Sequence, residues 1–157
     1  MEKLKEKIEN VAQLICELTR NCTIKEEFFA RSFNLSPTEV RFLKLFVHRN
    51  LLTVNEIQNL LKLTTGRISH ILKSLESKNL IMRIKTPKDK RNIEIKLQPK
   101  AMIFVNNLHN NYNDLNDSIL NQVGKEELDQ ITDSLNTLLN LFTKWVGQNS
   151  SEITQEK

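Results

Sequence analysis

Residues 80–97 read LIMRIKTPKDKRNIEIKL, and this stretch decides how the chain folds. Apolar side chains recur at every second position on both sides of the central TPKDKRN segment. That spacing is the period of a β-strand, in which successive side chains point to opposite faces. The alternating residues are Leu80, Met82 and Ile84 in the first run and Ile93, Ile95 and Leu97 in the second. Because the segment between them contains a proline and four charged residues, the stretch predicts a β-hairpin with a basic tip.

Positive charge is concentrated around this hairpin. Residues 62–100 hold eleven lysines and arginines against three acidic residues, a net charge of +8, whereas the rest of the chain carries −4. Such an asymmetry favours a polyanionic partner, and nucleic acid is the leading candidate. The alternative is a basic surface that contacts only water, and the clustering of the charges argues against it.

Three short helices are predicted immediately before the hairpin. SPTE at 36–39 and TVNE at 53–56 each match a capping box, with Ser or Thr at the cap and Glu three residues later. The third helix should begin at Thr64 or Thr65 and end near Asn79, a residue that tolerates the left-handed conformation of a helix stop. Only the segment KLT joins the second helix to the third, so the two must cross steeply, as in a helix-turn-helix.

The third helix should present a polar and basic face. Its apolar side chains cluster within about 100° of arc around the helix axis. The opposite side carries no carboxylate before Glu76, so it could enter a major groove of DNA without repulsion from the phosphates. The predicted DNA-contacting residues of this helix are Thr65, Gly66, Arg67, Ser69, His70, Lys73 and Ser74. The hairpin tip should add a minor-groove or backbone contact through Lys88, Asp89, Lys90 and Arg91, with Asp89 shaping the loop.

Long amphipathic helices are predicted at both ends of the chain. Their apolar residues recur every three or four positions in a narrow stripe, a pattern that favours pairing with another helix. We therefore expect dimerisation arms at about 1–34 and 100–147, a DNA-binding lobe at about 36–99 and a polar tail at 148–157, all within a single domain. The predicted interface residues are Leu4, Ile8, Val11, Ile15, Leu128, Ile131, Leu135, Leu138 and Phe142.

Two motifs and the order of these elements resemble the MarR family of winged helix-turn-helix transcription regulators. One motif is the wing, with DKR at 89–91 and LQPK at 97–100; the other is L-x-x-x-x-I-S-x-I-L-x-x-L-E-x-K-x-L-I at 63–81. The resemblance implies a mainly α fold with a small β-hairpin wing, flanked by terminal helices that form a homodimer. It also implies binding to a pseudo-palindromic operator, usually as a repressor. Lys62 departs from the pattern, because the turn of the family commonly has glycine there, and a lysine with positive φ carries strain.

The resemblance further implies a signal that releases the DNA, because family members respond to small aromatic ligands, to cysteine oxidation or to zinc. Cys16 and Cys22 are the candidate sensors. Cys22 continues the apolar stripe of the first helix, so we expect it to be buried and inert, and we expect Cys16 to be more accessible. We expect Phe28, Phe29 and Phe33 to pack in the core. No short metal-ligand spacing is present, so we expect neither a metal nor a cofactor.

The predicted function is sequence-specific binding of double-stranded DNA by a homodimer, with a small aromatic molecule as candidate effector. The alternative is a winged-helix module that binds protein or RNA. An enzyme is disfavoured, because the three histidines are dispersed and the chain has no H-E-x-x-H, G-x-G-x-x-G or P-loop motif. No run of about 18 apolar residues and no signal-like N-terminus occurs, so we expect a cytoplasmic protein without a membrane segment.

Overall fold

The protein is mainly helical, with one small antiparallel sheet, in a computed structural model that describes residues 2–85 and 93–153. Side chains are described as far as residue 149, and the predicted wing-tip residues Lys88, Asp89, Lys90 and Arg91 lie outside the described residues. In chain order the elements are α1 (Glu2–Ser32), α2 (Pro37–Lys44), β1 (Leu51–Thr53), α3 (Val54–Leu61), α4 (Thr65–Ser77), β2 (Ile81–Lys85), β3 (Ile93–Leu97), α5 (Ala101–Leu120) and α6 (Lys125–Ile153). This order confirms the predicted fold class, a winged helix-turn-helix lobe with long N- and C-terminal helices.

Packing divides the chain into two compact units, Met1–Asn113 and Asp114–Lys157. The first unit contains α1 to α4, the sheet and the first part of α5, and the second contains the rest of α5 and α6. The single domain expected from the sequence stays a prediction. Helix α6 ends at Ile153, so the polar tail expected from residue 148 is in part helical. Nothing in the segment after Gly147 interrupts a helix, because it contains neither proline nor a further glycine.

The three short helices begin where the sequence predicts them. The Ser36 hydroxyl accepts a hydrogen bond from the Glu39 amide at 3.3 Å, and the Glu39 carboxylate accepts one from the Ser36 amide at 2.7 Å. Thr53 and Glu56 form the same reciprocal pair, at 3.2 and 2.8 Å. Thr64 is the N-cap of α4. These local bonds satisfy amides that the first turn of each helix leaves without a partner.

The sheet has three strands in the order β1-β3-β2, so β3 lies in the middle. It pairs with β2 in the predicted hairpin, where Ile81 faces Leu97 and Arg83 faces Ile95, and it also pairs with β1. The sequence did not reveal β1, because a strand of three residues shows no period and its last residue is the cap of α3. Ile81, Ile95 and Leu97 are buried, whereas the row of Leu80, Met82 and Ile84 is only half-buried.

The core of the first unit forms where α2, α3 and α4 pack on one another and α3 and α4 pack on the sheet, and α5 adds further buried side chains. Its fully buried large side chains include Phe42 and Leu43 of α2, Phe46 in the turn after α2, Ile57 of α3, Ile68, Leu72 and Leu75 of α4, and Val105 and Leu108 of α5. Phe29 is buried and Phe33 is half-buried, but Phe28 is 73% exposed, so its expected place in the core is wrong. Phe28 directly precedes Phe29 on α1, so its side chain points about 100° further around the helix axis and away from the packed side.

The apolar stripes of α1 and α6 are uncovered in the single chain. Leu4 is 63% exposed, Leu135 is 47% exposed and Phe142 is 51% exposed. Ile8, Val11, Leu128 and Ile131 are also exposed, and Ile15 and Leu138 are half-buried. Both Cys16 and Cys22 are exposed, so the expected burial of Cys22 is wrong for the single chain: the stripe it extends is itself uncovered. Within residues 2–85 and 93–153, every helix is too short or too polar to cross a membrane.

Lys62 ends α3 in the left-handed conformation, with φ of 52° and ψ of 44°, and its amide donates to the Gln58 carbonyl. Asn34 and Asn79 adopt positive φ as well, at 55° and 57°. The left-handed stop expected at Asn79 and the positive φ considered for Lys62 are both confirmed. Lysine has a Cβ that crowds this conformation, whereas asparagine tolerates it.

Lys62→Gly should therefore stabilise the fold by about 1 kcal/mol, because glycine adopts the left-handed region without steric cost. Asn79→Gly is the matched comparison and should stabilise it less. Urea denaturation of the two variants and the wild type measures both differences. A Lys62→Gly variant no more stable than the wild type would contradict the strain at this turn.

Candidate nucleic-acid interface

Helix α4 has one packed side and one open side. Ile68, Ile71, Leu72 and Leu75 form the packed side, each at most 6% exposed. Thr65, Gly66, Arg67, His70 and Lys73 are exposed, and Ser69 and Ser74 are half-buried. The structure therefore brings the predicted recognition residues together along one helix, with small, polar and basic groups on the open side.

The turn before α4 is fixed by two side-chain bonds. The Thr64 hydroxyl accepts from the Arg67 amide at 3.5 Å and caps the helix. Gln58 of α3 reaches across the turn, and its Nε2 donates to the Thr65 hydroxyl at 3.3 Å. No local pattern indicates a role for Gln58, because this bond forms only when α3 and α4 pack together. The first residue of the open side is thus held by the preceding helix.

Gly66 is not required by the packing or the backbone of the chain. A Cβ built on it would meet no atom within 4 Å, and its φ lies outside the left-handed region. Glycine in a helix is less favourable than alanine by about 1 kcal/mol. An open glycine on the polar side of α4 is therefore suited to close approach by another molecule.

A surface concavity of about 250 Å³ lies between the start of α2 and the open side of α4. Ser36, Thr38, Arg67, His70 and Ile71 line it. A guanidinium, an imidazole and two hydroxyls at one concavity can donate to an anion such as a phosphate. Arg67 and His70 were predicted from the polar side of α4, whereas Ser36 and Thr38 were not, because their segment predicts only a helix start.

The flank of α4 that faces α2 is held by a buried carboxylate. Glu39 is only 4% exposed. It accepts from the Ser74 hydroxyl at 2.6 Å and from Lys78 Nζ at 2.8 and 3.0 Å. Burial alone would raise the pKa of Glu39, but the bonds from Lys78, Ser74 and the Ser36 amide outweigh it and lower the pKa below the ordinary 4.5. Ser74 was predicted to contact DNA, and the structure instead places its hydroxyl on Glu39.

The opposite flank of α4 is held by the wing. Arg83 of β2 makes a bidentate ion pair with Glu76, with Nε to Oε1 at 2.9 Å and Nη2 to Oε2 at 3.0 Å. Both side chains are about one-third exposed, at 32% and 33%. Two parallel bonds to a planar guanidinium fix direction as well as distance. Lys85 and Lys96 are exposed as well and add positive charge to the two opposite faces of the wing.

A narrow crevice lies where α1, α2 and α5 meet. Lys44 Nζ lies 3.5 Å from the centroid of the Tyr112 ring, and burial lowers the pKa of Lys44. The crevice holds about 20 Å³, which is room for about one water molecule. Arg41 pairs with Glu26 beside it. In the part of the chain that the structure describes, no three His, Cys, Asp or Glu side chains meet as a metal site.

The short turn between α3 and α4, the three-stranded sheet and the open basic side of α4 define a winged helix-turn-helix protein. The MarR family model matches residues 35–93, which contain α2 to β2 and the start of β3. The chain is 26% identical over 101 residues to the HTH-type transcriptional regulator MhqR of Bacillus subtilis (strain 168). The aligned segment covers 64% of this chain and 70% of MhqR.

Solved structures of transcription regulators share this fold. Streptococcus pneumoniae FabT in complex with DNA has a TM-score of 0.76 at 18% identity and covers 88% of this chain and 99% of FabT. The S. aureus MepR–DNA complex has a TM-score of 0.72 at 21% identity and covers 84% and 97%. A mutant E. coli MarR with operator DNA has a TM-score of 0.71 at 19% identity and covers 85% and 96%. The chain therefore matches the MarR family model over residues 35–93 and shares the winged helix-turn-helix fold of these DNA-bound proteins.

The lowered pKa of Glu39 predicts how its contribution to stability depends on pH. A carboxyl whose pKa is lower in the folded than in the unfolded state stabilises the fold above the unfolded pKa and loses that effect as pH falls through the folded pKa. The difference in unfolding free energy between the wild type and Glu39→Gln should therefore be constant near neutrality and shrink below about pH 4.5. Urea denaturation over a pH series measures it, and a difference that grows toward acid would contradict the pairing.

Proposed function

We propose that the protein binds double-stranded DNA sequence-specifically as a homodimer and represses transcription at a pseudo-palindromic operator. In this proposal α4 lies in the major groove and reads base edges. The observation that carries it is the open side of α4, where Gly66 leaves room for close approach and no carboxylate is free to repel a phosphate. The DNA-bound relatives FabT, MepR and MarR support the same use of the fold.

The residues of the open side would make different kinds of contact with DNA. Ser69, His70 and Lys73 lie beside Gly66 on the helix, where side chains reach base edges. Thr65, held by Gln58, would contact the backbone at the start of the helix. Arg67 lines the concavity with Ser36 and Thr38, so its guanidinium is better placed for a phosphate than for a base. The wing tip would add Lys88, Lys90 and Arg91, shaped by Asp89.

The homodimer in this proposal forms through the stripes of α1 and α6. An exposed row of leucine, isoleucine and phenylalanine along two long helices is unusual for a chain that stays alone in water. Two copies would place two α4 helices about one turn of DNA apart, and a two-fold axis then matches a pseudo-palindrome.

A signal would weaken this binding. A small aromatic effector is the proposed ligand, and the crevice beside Tyr112 is where the chain offers aromatic and basic groups together. Its present volume of about 20 Å³ excludes such a ligand unless Lys44 leaves the tyrosine ring. Oxidation of Cys16 or Cys22 is the alternative signal, since both are exposed.

Gly66→Ala tests the DNA face directly. It adds one methyl, removes no charge and should raise the stability of α4 by up to about 1 kcal/mol. Operator affinity should nevertheless fall roughly tenfold, because the methyl occupies the space of close approach. Fluorescence anisotropy and thermal denaturation measure the two effects. Ser77→Ala, three turns further along the helix, is the control and should leave affinity unchanged. Unchanged affinity in Gly66→Ala would exclude close approach at this position.

Leu135→Glu combined with Leu138→Glu tests the dimer. Two charges on the stripe of α6 should give folded monomers, because neither side chain is fully buried in the single chain. Operator affinity should fall roughly 100-fold or more, since the linked second half-site is lost. Sedimentation and anisotropy measure both. Asn136→Glu with Asn140→Glu, on the other side of α6, is the matched control. A double variant that stays dimeric would place the interface elsewhere.

A further inference from the structure

The two ion-paired flanks of α4 leave a defined sector between them. At about 100° per residue, Ser74 and Glu76 lie about 160° apart around the helix. Glu39 of α2 holds the Ser74 side, and Arg83 of the wing holds the Glu76 side. The residues between these flanks are Gly66, Ser69, His70 and Lys73, with Ser77 in the same sector at the far end of the helix. The contacts that hold α4 thus end where its open face begins.

Glu39 joins the start of α2 to the end of α4. Its carboxylate accepts from the Ser36 amide at the start of α2 and from Ser74 and Lys78 at the end of α4. Lys78 Nζ also donates at 3.0 Å to the Asn34 carbonyl, in the corner between α1 and α2. One buried charge therefore links that corner, the start of α2 and the end of α4.

Stability alone does not explain a charge at this position. Burying a carboxylate and an ammonium costs solvation that their attraction repays only with good geometry, and a packed apolar pair often stabilises as well or better. What charged hydrogen bonds add is a fixed direction and distance between the elements they join. The same α2 start carries Ser36 and Thr38 on the concavity shared with Arg67 and His70. The spacing across that concavity thus depends on how α2 is joined to α4.

We propose that Glu39 is a positioning residue for DNA readout: its bonds to Ser74 and Lys78 set the rotation of α4 about its own axis relative to α2. Ser74 serves Glu39 and does not contact DNA. This inference rests on the proposed DNA binding through α4 and names a residue that acts behind the DNA face.

Glu39→Gln tests whether Glu39 positions α4 without removing its role in the cap of α2. Glutamine still fits a capping box, but it presents an amide group to the Lys78 ammonium in place of a carboxylate oxygen. A duplex is first selected from a random pool by the wild-type chain, and affinities for it and for random DNA are then measured over a salt series. Glu39→Gln should lower the preference for the selected duplex about tenfold, the scale of a misplaced base contact. Its salt dependence should match the wild type, because no phosphate contact is removed.

A double-mutant cycle tests whether Ser74 acts through Glu39 or contacts DNA directly. In the wild-type background Ser74→Ala should lower the preference in the same direction as Glu39→Gln, and in the Glu39→Gln background it should add nothing further. Ser77→Ala is the control for removing a hydroxyl from the same helix, because that hydroxyl donates only to the Ser74 carbonyl of its own helix. Equal losses from Ser74→Ala in both backgrounds would assign Ser74 to the DNA and overturn the proposal for that residue.

Val105→Ala is the control for a general loss of stability. It shortens a buried side chain of α5 and leaves Glu39 and its hydrogen-bond partners unchanged. All variants are measured at a temperature at which circular dichroism shows them folded. Val105→Ala should keep the wild-type preference. A Glu39→Gln variant with wild-type preference, or a Val105→Ala variant with the same loss, would overturn the positioning role. A wild-type chain without any preference would instead overturn the proposed function, and this inference with it.

Discussion

Glu39 places a negative charge inside the helical lobe, where a charge is tolerated only with close partners. Its carboxylate takes bonds from the cap of α2 and from two residues near the end of α4, and Lys78 carries the link on to the carbonyl of Asn34. The end of the N-terminal helix, α2 and α4 are therefore tied at one point. A displacement of the chain at Asn34 would therefore act directly on the Lys78 ammonium at the end of α4.

The open side of α4 is the part of the helix that lies outside its packing contacts and ion pairs with the described residues of the lobe. Its apolar row is buried in the core, its two flanks hold Glu39 and Arg83, and the remaining sector is small, polar and basic. Both acids on or beside this helix, Glu39 and Glu76, are neutralised by a basic partner. The positive charge concentrated between residues 62 and 100 thus meets no free carboxylate of α4 on the side that would face a phosphate backbone.

Local signals in the sequence predicted most of this lobe. Capping boxes at Ser36 and Thr53, the left-handed stop at Asn79 and the strand period around residues 80–97 each depend on a few neighbouring residues, and all were confirmed. What the sequence could not show depends on distant contacts. Glu39 meets Ser74 and Lys78 across 35 and 39 residues, so the sequence could not reveal that these side chains are bonded to it. Three residues were too few to reveal β1, and the periodicity of α1 alone could not show that Phe28 and Cys22 are exposed.

Selection of bound duplexes from a random pool, followed by a salt titration on the selected sequence, shows whether the protein binds DNA sequence-specifically as a two-fold dimer. We expect enrichment of an inverted repeat whose half-sites lie about one helical turn apart, with affinity falling steeply as salt rises. Recovery of no common sequence, together with equal and weak binding to every duplex at low ionic strength, would contradict it.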